Sequence, residues 1–155
     1  MHGRSLQFVI ATNLSCIDSE MLLFCEAHDI YISTSLDGPK DLHNKNRPKP
    51  NRDSYEKTIE GINKVREYLG PDKVSALMTT TEASLPRVRE IVDEYVGQGF
   101  DSIFLRSLSP YGFAIKTKKF YAYDTFEWLN FYKEGLAYII ELNKKGTFFA
   151  EIYAT

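Results

Sequence analysis

Ser33, Ser35, Asp37-Gly38-Pro39, His43 and Arg47 follow one another closely in this chain, and their types suit the handling of a small polar ligand. A hydroxyl can hydrogen-bond a carboxylate, an amine or a ribose, and a planar guanidinium carried back over the same place can clamp a carboxylate through two parallel bonds. Thr12-Asn13 adds an amide that could read a ligand or hold a turn. Each residue also has a plainer role. The two serines could satisfy neighbouring backbone groups. Asp37-Gly38-Pro39 taken alone is a turn, Arg47 alone is a solvated loop cation, and His43 is better read as a hydrogen-bonding brace than as an acid or base. What draws them together is position, because α/β folds place ligands at the carboxyl ends of their strands.

Those strand ends need a scaffold, and the rest of the chain describes one. Apolar, β-rich runs alternate with amphipathic segments, which predicts an α/β fold with parallel strands. Strands are expected over Leu6 to Thr12, Ile30 to Ser35, Lys73 to Thr80 and Ser102 to Leu108. The two-residue period of the second puts Ile30, Ile32 and Thr34 under the helices and Tyr31, Ser33 and Ser35 on the opposite side. A helix over Glu20 to His28, capped by Asp18 or Ser15, carries Met21, Leu22, Phe24 and Cys25 as its apolar stripe. Asp53 or Ser54 opens another, with Ile59, Ile62, Val65 and Leu69 on one face and Gly70-Pro71 at its end. Thr81 or Ser84 starts a third that buries Leu85, Val88, Ile91, Val92, Tyr95 and Val96, with Pro86 tolerated in its first turn. A long helix from about Thr125 to Lys144 turns Phe126, Leu129, Phe131, Leu136, Ile139, Ile140 and Leu142 to the sheet. Thr147 to Ala154 reads as a strand or a helix start. Between Gly38 and Arg52 lies a long irregular connection, of the kind that is functional or mobile. Arg106, within an apolar strand, needs a partner such as Asp101 or a helix acid. The aromatic residues Phe113, Phe120, Tyr121, Tyr123, Phe126, Trp128, Phe131 and Tyr132 pack the core or cover an interface.

The chain has 155 residues, 43% of them hydrophobic and 26% charged, with a formal net charge of -2. That fits one domain, residues 1-155, or a piece of one. The charge balance points to no nucleic acid partner. No apolar run spans a bilayer and Met1-His2-Gly3-Arg4 is not a secretory signal, so no membrane association and a cytoplasmic location are expected. Cys16 and Cys25 have the spacing of neither a zinc knuckle nor a redox pair, and are read as reduced structural thiols.

Phe8-Val9-Ile10-Ala11-Thr12-Asn13, then Ile32-Ser33-Thr34-Ser35-Leu36-Asp37-Gly38-Pro39, then His43 and Asn46-Arg47, resemble in order and spacing the radical S-adenosylmethionine peptide maturases, such as the anaerobic sulfatase-maturating enzymes. Within that group, Val9 to Leu14 and Ser109-Pro110-Tyr111-Gly112-Phe113-Ala114 are most similar to maturases that accompany His-Xaa-Ser repeat peptides. The resemblance implies the second half of a partial (β/α)6 TIM-like barrel, strands three to six with their outer helices. It implies that Ser35 touches the amino acid or ribose part of S-adenosylmethionine, that Arg47 binds its carboxylate, that Leu108 contacts the adenine region, and that Asn13 and Ser33 line the same lumen. Family chemistry is reductive cleavage of that cofactor by a [4Fe-4S] cluster, and hydrogen abstraction from a peptide or protein substrate. The chain departs from the family in lacking the CxxxCxxC loop that holds the cluster and the glycine-rich stretch after the second family strand. It is therefore expected to be an interior fragment, inactive alone, whose open strand edges favour self-association. A cluster-free α/β module that binds a peptide through the Gly38 to Arg52 segment is the alternative. A TIM-type lyase or aldolase ranks last, for want of a strand-end lysine.

Overall fold

A computed structural model of the protein describes residues 6–107 and 123–154. Three strands, β1 (Phe8–Ala11), β2 (Ile30–Ser35) and β3 (Val74–Leu77), run parallel in the order β1-β2-β3. A second parallel pair joins β4 (Ser102–Ile103) to β5 (Ala150–Glu151). Helices α1 (Ser19–Ala27), α2 (Lys40–Asn46), α3 (Ser54–Leu69), α4 (Val88–Gly97) and α5 (Thr125–Lys144) connect and cover them. The α/β class with parallel strands is as the alternation predicts. Among the described residues, however, the strands form two sheets. They are linked where the Thr80 hydroxyl donates to the Arg106 carbonyl at 2.8 Å.

The strand that carries the serines follows its pattern residue by residue. Ile30, Ile32 and Thr34 are buried while Tyr31, Ser33 and Ser35 are half-buried on the other face. Ile32 belongs to a cluster with Leu14, Leu22, Cys25, Ile62, Val65 and Val74. The second cluster gathers Leu36, Leu42, Met78, Val88, Ile91, Tyr95, Ile103, Leu105, Phe131 and Ile139, and so ties β3 to β4 through α4 and α5.

Helix starts are largely where cap residues put them. Asp18 accepts from the Met21 amide at 2.9 Å, and Asp124 from that of Glu127 at 2.8 Å. The segment after Thr81 differs: Glu82–Arg87 is a 3-10 turn, with Ser84 Oγ accepting the Thr81 amide, and the α-helix begins only at Val88. Expectations for apolar faces fail at four residues. Met21 and Phe24 on α1, and Phe126 and Ile140 on α5, are exposed, because α1 covers the sheet with Leu22 and Cys25 alone and α5 with Phe131, Gly135 and Ile139. Arg106 has no acidic partner among the described residues; its guanidinium lies over the Phe104 ring, 6.0 Å from the centroid. The fourth predicted strand is shortened to Ser102–Ile103, and Thr147 to Ala154 holds both a short strand and a 3-10 turn. Leu108, Phe113, Phe120, Tyr121 and the Ser109 to Ala114 segment lie outside the described residues.

Candidate functional site

The carboxyl ends of β1 and β2 meet α2 and the start of α3 around a cavity of about 200 Å3, lined by Asn13, Ser35, His43, Arg47, Pro48, Lys49, Ser54 and Thr58. Asn13 follows β1, Ser35 ends β2, and their neighbours Ala11 and Ser33 are paired across the two strands. Asn13 holds a turn, its Oδ1 accepting from the Ser15 amide at 3.1 Å and hydroxyl at 2.8 Å, and also reaches the cavity. The turn-holding reading of that residue therefore applies, at a position that also borders the cavity. Ser33 shares a face with Ser35 but is one pleat further back and is not part of the cavity wall.

The segment between Gly38 and Arg52, expected to be irregular, contains α2. Pro39 supplies its N-cap, Asp41 lies in its first turn and Lys45 in its last, charges that suit a helix dipole. The helix carries Arg47 back to Asp37. Asp37 is fully buried, and its carboxylate accepts from Arg47 Nε at 2.8 Å, from Arg47 Nη2 at 3.1 Å and from the Thr79 amide at 2.8 Å. Arg47 Nη2 also donates to the Thr79 hydroxyl at 3.3 Å. The bidentate clamp anticipated for a ligand carboxylate is thus made with the chain's own Asp37. Nη1 has no partner among the described residues and is the part of the guanidinium left for a ligand.

Asn44 locks the far wall. Its Oδ1 accepts the Ser54 hydroxyl at 2.7 Å and the Tyr55 amide at 2.8 Å, which caps α3 from outside where Asp53 does not. Its Nδ2 donates to the Arg52 carbonyl at 2.9 Å. His43 is fully buried, and its Nδ1 accepts from the Asp37 amide at 3.2 Å. Burial, then the nearby Arg47 charge, holds its pKa below the ordinary imidazole value against the opposing pull of Asp37, so the ring is neutral at pH 7. The wall therefore offers three hydroxyls, an amide, a neutral imidazole, a lysine and one guanidinium nitrogen without a partner among the described residues. That set suits a ligand rich in oxygen acceptors.

Compared with solved structures, this architecture matches "Native anSMEcpe with bound AdoMet" at a TM-score of 0.78 and 19% identity, over 95% of this chain and 40% of that one. The chain shares the fold of part of that structure. "Native anSMEcpe with bound AdoMet and Cp18Cys peptide" matches similarly, at a TM-score of 0.79 and 19% identity over 95% of this chain and 41% of that one. The chain spans about two fifths of the length of the structures it matches. No protein-family model and no curated protein matches the sequence. None of the described helices is long and apolar enough to cross a membrane.

An iron–sulfur cluster does not fit the residues described. Cys16 is exposed while Cys25 is buried on the inner face of α1, where desolvation raises its thiol pKa, and no three His, Cys, Asp or Glu side chains among the described residues converge on a common point. S-adenosylmethionine fits better, because the cavity wall pairs free donors with small hydroxyls. Its volume is below the roughly 300 Å3 at which drug-sized ligands are enclosed, so the cavity accommodates one portion of such a molecule. Sequence reasoning gave Asp37 only a turn and His43 only a brace, and did not bring Lys49, Ser54 or Thr58 to the cavity. The signal for the first was the Pro39 helix start, since a helical turn is what lets Asp37 and Arg47 meet.

Proposed function

We propose that the chain forms part of the S-adenosylmethionine-binding region of a radical enzyme that modifies a peptide or protein substrate. The observation that carries this reading is the convergence of Asn13, Ser35 and Arg47 on one cavity, in a chain whose fold matches structures holding AdoMet over 95% of its length. In this reading residues 1–155 supply strands three to six of a partial (β/α)6 barrel. Ser35 bonds the amino acid or ribose portion, Arg47 turns Nη1 to the carboxylate, Asn13 contacts the same portion from β1, Ser33 lies further along that face, and, as the family resemblance implies, Leu108 contacts the adenine. When bound, the cofactor supplies the hydrogen-abstracting chemistry. The chain's residues bind it, orient it and keep water from its polar end. The [4Fe-4S] cluster belongs to the intact enzyme and is held by none of the residues described, so the chain alone is inactive. A cytoplasmic location and self-association along the open β1 edge, where Phe8 and Val9 are exposed, belong to the same reading.

Calorimetric titration of the full chain with S-adenosylmethionine tests it. Saturable binding is expected, weakened about tenfold by Ser35→Ala through loss of one hydrogen bond in a partly desolvated site. No heat with the cofactor, alongside saturable binding of a peptide, would replace this reading with the cluster-free peptide-binding module, which the presence of only two cysteines favours.

A further inference from the structure

Five buried polar side-chain atoms lack a hydrogen-bond partner among the described residues: Thr34 Oγ1, His43 Nε2, Asn46 Nδ2, Glu56 Oε2 and Arg66 Nε. Of these residues only His43 lines the cavity at the ends of β1 and β2. The orphan atom also has a defined chemical state. Nδ1 accepts the Asp37 amide proton and so carries a lone pair, which in a neutral imidazole leaves the proton on Nε2. A buried N–H without an acceptor is costly, and folded proteins rarely tolerate one unless a ligand or water completes it. The rest of the wall says what kind of atom would complete it. Arg47 and Lys49 bring positive charge, while the Asp37 carboxylate is already engaged by three donors, so an oxygen acceptor is favoured over a cation.

We infer that His43 is a ligand-contacting residue of this cavity, donating from Nε2–H to an acceptor oxygen of the bound molecule. This rests on the reading of the cavity as the site for the polar end of S-adenosylmethionine, and adds a neutral donor to the charged one at Arg47. The same ring serves two purposes from its two nitrogens: Nδ1 fixes the Asp37 turn, and through it the carboxylate that orients Arg47, while Nε2 faces the ligand. His43 therefore couples the shape of the turn to occupancy of the cavity.

Two substitutions separate the nitrogens. In His43→Asn the amide oxygen can stand in for Nδ1 and accept the Asp37 amide, but nothing replaces Nε2. In His43→Gln the amide nitrogen reaches the Nε2 position. Calorimetry of the full chain with S-adenosylmethionine is expected to show binding weakened about tenfold in His43→Asn, with a urea midpoint close to that of the unsubstituted chain, whereas His43→Gln, which keeps the donor but gives up the Asp37 contact, binds more tightly than His43→Asn and has the lower urea midpoint of the two. Equal affinity of His43→Asn and the unsubstituted chain would overturn the inference and leave the cofactor reading standing. Absence of binding by the unsubstituted chain would overturn both. Nitrogen-15 spectra of the histidine ring give a readout that needs no variant. A proton on Nε2, with its resonance shifted on addition of S-adenosylmethionine, is expected. A neutral ring protonated at Nδ1, or an Nε2–H unmoved at saturation, would refute the proposal.

Discussion

Replacing Asp37 with asparagine keeps the shape of the turn and removes its charge, so it isolates what the Asp37–Arg47 pair contributes. Two of the three hydrogen bonds accepted by the carboxylate come from Arg47, and the third, from the Thr79 amide, can still be accepted by the asparagine oxygen. Removing one member of a fully buried ion pair typically costs about 3–5 kcal/mol. Here the two side chains are unequally shielded, Asp37 being 1% and Arg47 34% exposed, so the guanidinium recovers part of its hydration once its partner is neutral. A loss of about 2 kcal/mol follows from this. For a chain of this size a urea m-value of about 2 kcal/mol per molar converts that loss into a midpoint lower by about 1 M. Unfolding followed by circular dichroism and by tyrosine fluorescence measures it, and coincident curves establish that one transition is being read. Arg47→Ala and the double variant complete the cycle, with non-additivity expected because both single changes break the same bonds. A midpoint for Asp37→Asn within about 0.2 M of the unsubstituted chain, equivalent to only about 0.4 kcal/mol, would refute the claim that this buried carboxylate holds Arg47 in place.

Gly38→Ala is expected to destabilise by at least about 2 kcal/mol, because φ is +129° and a Cβ there would stand 2.8 Å from Ile91 Cγ1; a thermal melt checks it, and an unchanged melting temperature would show that the turn can rearrange. His43 makes stability pH-dependent. Burial holds its folded-state pKa below the ordinary 6.5, so the unfolded chain takes up the proton first; stability present above pH 6.5 should decline as the pH falls below it, through the folded-state value. Urea midpoints measured between neutral and mildly acidic pH should show this slope in the unsubstituted chain and a shallower one in His43→Asn.

The parts of the fold that could be read from the sequence are those with a period. Alternation in β2 placed Ser33 and Ser35 opposite Ile30, Ile32 and Thr34, and the faces of α3 and α4 follow from a repeat near 3.6 residues. Helix α2 escaped because it has only seven residues and buries one apolar side chain, Leu42, too little for a periodic signal. What fixes it is charge placement and a proline start, which are local cues. Helix α5 misled in the other direction. It has apolar residues all round, and the face that packs is chosen by Gly135, where a Cβ would lie 2.6 Å from both Leu105 and Val88. Such a choice is made by the partner surface and leaves no trace in one strand of text. At the cavity, strand-end position was enough to bring Asn13 and Ser35 forward, and the chemistry of a guanidinium brought Arg47. The role of Asp37 was hidden, because an Asp-Gly-Pro sequence looks the same whether its carboxylate faces water or a guanidinium.

The carboxylate at position 37 also bears on how a functional screen of this protein should be interpreted. By restraining the arginine before any guest arrives, it removes a rotational penalty from association that a freely swinging side chain would incur. In the proposed reading, substitutions at this aspartate would imitate the loss of a direct contact, lowering occupancy although the residue is not part of the cavity wall. A survey of variants ranked by binding alone would mistake the hinge pin for the handle.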